Sequence, residues 1–237
     1  MTRRLIGLPW LFLALVLLSG CEQRSESLRY RLTVEVDTPD GVKRGSSVVA
    51  VNVSQTGDDA WFVSPQARGV RATMRGEAAA VDLPGGQVLF ALLRNQQSVD
   101  AGKWYAHNAV YAPQFRGEYS GIHRTQYLKH RPGSSGELTD DARPMLVTFG
   151  DLSDPTSVML VDPDDLPASF GEGVALKQIT VAITKDPVTT GIEERLGWMD
   201  EFRKAHFDGT STLSEDLTTS DIRAHLSSGN FSTEFAK

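Results

Sequence analysis

Between Tyr30 and Val53 the apolar residues largely fall on alternate positions, and that spacing constrains the fold more than any other feature of the chain. Tyr30, Leu32, Val34 and Val36 alternate with Arg31, Thr33 and Glu35, which is the two-residue period of a strand with one buried face. Val48, Val49, Val51 and Val53 resume the pattern after Thr38-Pro39-Asp40-Gly41, a stretch with turn chemistry. The two runs read as a hairpin joined by a long connection over 37–46.

The same signals recur downstream. After Trp61 to Val63, the runs Ala78 to Leu83 and Gln87 to Leu93 flank Pro84-Gly85-Gly86 and predict a second hairpin. Met145 to Phe149, Ser157 to Val161 and Val174 to Thr184 predict three more strands, the last with Leu176, Ile179, Val181 and Ile183 in imperfect alternation. Helix signals are fewer. Ser98 to Tyr111 is helix-compatible, with Ser98 or Asp100 as a cap and Pro113 as a stop. After Thr189-Thr190-Gly191, Thr190 and Glu193 stand at capping-box spacing, and Ile192, Leu196, Met199 and Phe202 recur on one helical face. A short helical segment is expected over 213–226, and 113–144, which lacks periodicity, is expected to be a long loop. The expectation is an α+β, mainly β body: an antiparallel sheet or β-sandwich-like core with a few peripheral helices.

The chain has one cysteine, Cys21, so no intramolecular disulfide can form, and thiolate-ligated metal centres are excluded. What precedes Cys21 is a leader pattern: Arg3 and Arg4, then an apolar run from Leu5 to Leu18, then Ser19 and Gly20. That run has 14 residues, short of the roughly 20 a spanning helix needs. Leu18-Ser19-Gly20-Cys21 resembles the lipobox of bacterial lipoprotein precursors, a resemblance confined to residues 1–21. It implies a signal peptide over 1–20, diacylglyceryl transfer to the Cys21 sulfur, cleavage before Cys21 and acylation of the new N-terminus. Two or more acyl chains give a lasting membrane anchor. Glu22 stands where aspartate is associated with inner-membrane retention in such precursors, so the resemblance implies outer-membrane attachment facing the periplasm. Residues 21–27 are then a polar tether, and 28–237 a single folded domain.

Removing Arg3 and Arg4 from the 24 basic residues leaves 22 against 30 acidic ones, a balance that disfavours nucleic acid as a partner. Against this background, Tyr111 to Arg131 is locally basic, with Arg116, Arg124, Lys129 and Arg131 against Glu118. Aromatic and imidazole side chains are interleaved. Guanidinium forks bind phosphate or carboxylate, and aromatic faces stack on sugars, so Arg116, His123, Arg124, Tyr127, Lys129, His130 and Arg131 form a candidate anion-binding site. The competing reading is a solvated loop whose tyrosines pack on the sheet.

Other chemistry is thin. His107, His123, His130, His206 and His225 lack the spacing that brings two ligands to one helix face and read as scattered surface histidines. Asp151, Asp154, Asp162, Asp164, Asp165 and Glu172 lack the order of a calcium loop and read as turn-shaping acids. No Gly-x-Ser-x-Gly elbow or phosphate-cradling glycine loop is present. No metal or other cofactor is expected. The sequence therefore reads as a lipid-anchored, non-enzymatic accessory or binding component of the envelope, with an envelope protein or an anionic ligand as partner. Two alternatives stay open: a hydrolase acting on envelope glycan or lipid through dispersed residues, and a structural subunit of an envelope assembly.

Overall fold

The structure is a computed structural model that describes residues 24–56, 69–111, 121–203, 205–210 and 221–235. Two antiparallel sheets organise it. Strand β1 (Arg24–Asp37) lies between β2 (Lys43–Thr56) and β9 (Ala175–Thr184); β3 (Gly69–Arg75) and β6 (Ser135–Glu137) close the edges in the order β3-β2-β1-β9-β6. The second sheet runs β4 (Ala79–Asp82), β5 (Val88–Ala91), β7 (Leu146–Phe149), β8 (Val158–Val161). The mainly β expectation holds.

The alternation in β1 has its predicted cause. Leu28, Tyr30, Leu32, Val34 and Val36 are buried on one face, opposite Val51, Val49, Ser47, Gly45 and Lys43 of β2 and, on the other side, Ile183, Val181 and Ile179 of β9. The hairpin connection is shorter than the expected 37–46, because pairing continues to Val36 opposite Lys43. The turn closes with Thr38 and Gly41 exchanging backbone hydrogen bonds. Apolar periodicity misses the start of β2 because its inward positions are small: Ser47 is buried with its hydroxyl donating to the Glu77 carbonyl at 2.7 Å, and Gly45 is pressed against the Ala80 carbonyl, where a Cβ would collide with backbone. At that glycine β2 lies directly against β4.

One face of the second sheet (Ala79, Val81, Leu89, Ala91, Leu146, Val161) packs into the core under β1 and β2. Its other face (Val88, Phe90, Val147, Phe149, Val158) is covered by residues from the C-terminal quarter: Ile192, Leu196, Trp198, Met199, Phe207, Leu226, Phe231 and Phe235. The rings of Phe90, Phe149, Trp198, Phe207 and Phe231 contact one another with centroids 5.0 to 6.4 Å apart, a range suited to edge-to-face packing. Burial of each such ring stabilises by roughly 1.5–3 kcal/mol. The fold is thus a sandwich with a third, irregular layer.

That layer corrects a prediction. The helix expected after Gly191 is a single 3-10 turn, Ile192–Glu194, although Ile192, Leu196 and Met199 are buried as their spacing requires. Long-range hydrogen bonds tie the layer to the sandwich: Ala78 N donates to Phe231 O at 2.7 Å, Thr233 N to Gly76 O at 3.0 Å, and the Trp198 indole N–H to Leu152 O at 2.9 Å. In the segment expected to be helical over 213–226, a 3-10 turn spans Ile222–His225, and 213–220 lies outside the described residues. So does the Trp61 to Val63 run. Strand β3 was not anticipated, although Val70, Ala72 and Met74 alternate with Arg71, Thr73 and Arg75.

Two further boundaries move. β1 begins at Arg24 and pairs with Gln55 from its first residue, so residues 24–27 belong to the sheet and not to a tether over 21–27. The expected loop over 113–144 contains helix α1 (Gly121–Lys129) and β6, whereas 98–111 forms a 3-10 turn and a π-helical turn, His107–Tyr111. The inward side of α1 is only Ile122, Thr125 and Leu128, too few apolar residues to announce a helix. A four-residue helix, α2 (Pro167–Phe170), leads into β9.

Candidate functional site

Helix α1 crosses the inner face of the first sheet near the start of β1. Ile122 and Leu128 enter the core that holds Leu28 and Tyr30. At its N-terminal end Gly121 leaves room for the Trp104 ring and Val70, each of which would lie 3.2 Å from a Cβ there. At its C-terminal end Lys129 Nζ meets Glu26 Oε2 at 2.8 Å.

Arg124, Tyr127 and Arg131 follow one another at helical spacing of three and four, and with Tyr111 they form a line in which two rings lie between two guanidinium groups. The Arg124 guanidinium carbon lies 5.4 Å from the Tyr111 centroid, the two tyrosine rings meet edge-on at 5.4 Å, and the Arg131 guanidinium carbon lies 3.4 Å from the Tyr127 centroid. Such stacking stabilises by roughly 0.5–1 kcal/mol at an exposed site. Arg131 also donates from Nη1 to the Tyr127 carbonyl at 2.9 Å. Arg124 is half-buried, and its Nε is without a hydrogen-bond partner among the described residues.

Of the seven candidate anion-binding residues, three therefore form one line (Arg124, Tyr127, Arg131). Lys129 turns toward β1, His123 and His130 are exposed, and Arg116 lies outside the described residues. The histidines do not converge.

His107 was not among those candidates and is the most constrained titratable group near them. It is 2% exposed, and its Nε2 lies 3.1 Å from Thr125 Oγ1. The Thr125 hydroxyl donates to the Gly121 carbonyl at 2.8 Å, so its one proton is used and Nε2 must be the donor to Thr125. The Trp104 ring lies 5.1 Å away. Burial, reinforced by the Arg124 charge, lowers the imidazole pKa from 6.5 to about 4, leaving the ring neutral near pH 7. His107 thus ties the π-helical turn to α1.

The expectation of scattered surface histidines fails for three of the five: His107, His206 and His225 are all buried. His206 is 4% exposed, and neither ring nitrogen has a hydrogen-bond partner among the described residues. The buried Arg94 donates to the His225 carbonyl at 2.9 Å, and its desolvation lowers the guanidinium pKa. Isolated polar residues in an apolar layer leave no periodic trace in the sequence.

The acids act as turn caps. Asp151 accepts from Ser153 N at 2.8 Å, Asp154 from Thr156 N at 2.9 Å, Asp162 from Asp164 N at 2.9 Å and Asp165 from Ala168 N at 3.3 Å. Hydrogen bonds from Ser153 hold the Asp151 carboxyl below its usual range. Glu77 differs: burial raises its pKa, against a hydrogen bond from Ile192 N that joins the sandwich to the C-terminal layer.

Compared with known protein families, curated proteins and solved structures, the chain matches none. No helix among the described residues is long and apolar enough to cross a membrane, and among them no group of three or more His, Cys, Asp or Glu is placed to hold a metal ion. The site's own geometry is therefore the ground for any functional reading.

Proposed function

We propose that this chain is a bacterial lipoprotein precursor whose folded body works at the envelope membrane, on the outer membrane facing the periplasm, as a non-enzymatic accessory or binding domain. Position carries the reading. The sole cysteine follows Leu18-Ser19-Gly20 and the apolar run, and it stands three residues before the first strand. A lipid attached there would hold the sandwich by its β1 end. The non-enzymatic part draws support from how the titratable groups are used: the turn acids cap backbone N–H groups, and His107 is held under α1 by Thr125.

Cys21→Ser tests the anchor. In cells fed a labelled fatty acid, the wild-type protein should carry label and need detergent to leave the membrane fraction, while the variant should carry none and appear unprocessed or released. A variant that is still processed and still needs detergent would overturn the proposal.

A further inference from the structure

We infer that the domain stands upright on the membrane, with the α1 end of the first sheet against anionic phospholipid headgroups, an orientation that rests on the lipid anchor proposed above. Three observations combine. The first is reach. Because β1 begins at Arg24, only Glu22 and Gln23 separate it from Cys21, and three Cα steps span at most about 11 Å. That is close to the screening length of roughly 8–10 Å in physiological salt, so charges at the β1 start act on the lipid surface.

The second is the charge at that end. Among the described residues at that end, exposed Arg24, Arg71, Lys129, Arg131 and Lys185 stand against half-buried Glu26 and exposed Asp186. Their placement follows from contacts already described and two more: Ser54 pairs with both Ser25 and Arg71, and Arg29 Nη1 donates to the carbonyls of Lys185 and Asp186, each at 3.0 Å. Lys129 is paired with Glu26, and Arg131 lies over the Tyr127 ring while remaining exposed.

The third is the opposite sign at the far end. Among the described residues there, exposed Asp37, Asp40 and Glu172 stand against half-buried Lys43 and exposed Lys177, while Arg44 is set against Glu35. The close approach of Gly173 to Pro39 brings the Glu172 turn beside the β1–β2 turn. At about 3.3 Å per residue, Arg24 and Asp37 are roughly 43 Å apart along β1. An acidic protein held by a short leash meets a negative surface favourably through its positive end, and in this domain that end is also the leashed one.

The test uses the full chain, lipidated in cells and reconstituted into vesicles of phosphatidylglycerol and phosphatidylcholine carrying a headgroup-attached quencher. Because acylation occupies the Cys21 sulfur, His130→Cys and Asp40→Cys each give a unique labelling site, one per end. Strong quenching of the label at position 130 and little at 40 is expected, with the contrast lost in vesicles of phosphatidylcholine alone. Lys129→Gln with Arg131→Gln should shift the oriented population about fivefold per charge removed. Arg71→Gln with Lys185→Gln should do the same without disturbing the Tyr127 stack. Equal quenching at the two ends in protein that floats with the vesicles would overturn the orientation and leave the anchor standing, as would a contrast indifferent to anionic lipid or to both double variants. Protein that lacks fatty acid and fails to float would overturn the anchor, and the orientation with it.

Discussion

His107 is a titratable group whose folded surroundings exclude the proton. Its pKa falls from 6.5 to about 4 through burial and the nearby Arg124 charge, so on acidification the unfolded chain takes up a proton before the folded one. The stability conferred by the neutral ring is whole above pH 6.5 and drains away as pH drops toward 4, by about 3 kcal/mol in total. Urea titrations across that window should show a falling midpoint in the wild type. His107→Gln should lower stability near pH 7 and flatten the acid limb; an unchanged slope in the variant would assign the acid sensitivity to another group. Glu77 works in the opposite sense: burial raises its pKa, so its ionisation above the usual carboxyl range opposes folding.

At the scale of elements, the first sheet meets its neighbours through small residues as well as large ones. Gly45 of β2 lies against the Ala80 carbonyl of β4, and Gly136 of β6 against the Ala109 carbonyl of the π-helical turn. In both places the obstacle is backbone, which cannot rotate aside as a side chain can. Gly45→Ala should therefore destabilise by about 3 kcal/mol, the upper part of the range for overpacking, read as a lower denaturation midpoint with an unchanged denaturant slope. A loss under about 0.5 kcal/mol would mean that the two sheets separate there at little cost. Helix α1 is held differently, by Ile122 and Leu128 beneath it, Lys129 on Glu26 at one end and the Tyr127 ring between Tyr111 and Arg131.

For the whole molecule, the C-terminal layer is part of the core. It covers the face of the second sheet that carries Phe90, Val147 and Phe149, and it is tied to the sandwich by the bidentate Arg195–Asp82 pair and by the Glu77–Ser232 bridge. A chain ending at Thr190 should expose that face, bind a hydrophobic dye and lose its cooperative unfolding transition, because a large apolar surface would be left to water. A truncated chain that still unfolds cooperatively near the full chain's Tm would show that the two sheets form a core without this layer.

Taken alone, the sequence determined the mainly β class and the strands whose apolar residues alternate, since one-sided burial writes a two-residue period into β1 and β9. It also ruled out internal disulfides, because a single cysteine has no intramolecular partner. Tertiary structure decided what has no local period. Ile192, Leu196 and Met199 carry helical spacing but are buried from a chain of successive turns, because their packing on the second sheet sets the path of the backbone. β6 is three residues of Ser-Gly-Glu, held by pairing with β9. Helix α1 shows only two buried apolar residues, and its basic end is placed beside Arg24 by the Lys129–Glu26 contact, across more than 100 positions of sequence. Burial of His107, His206 and His225 likewise follows from how the chain packs, for which a local reading of residue spacing contains no signal.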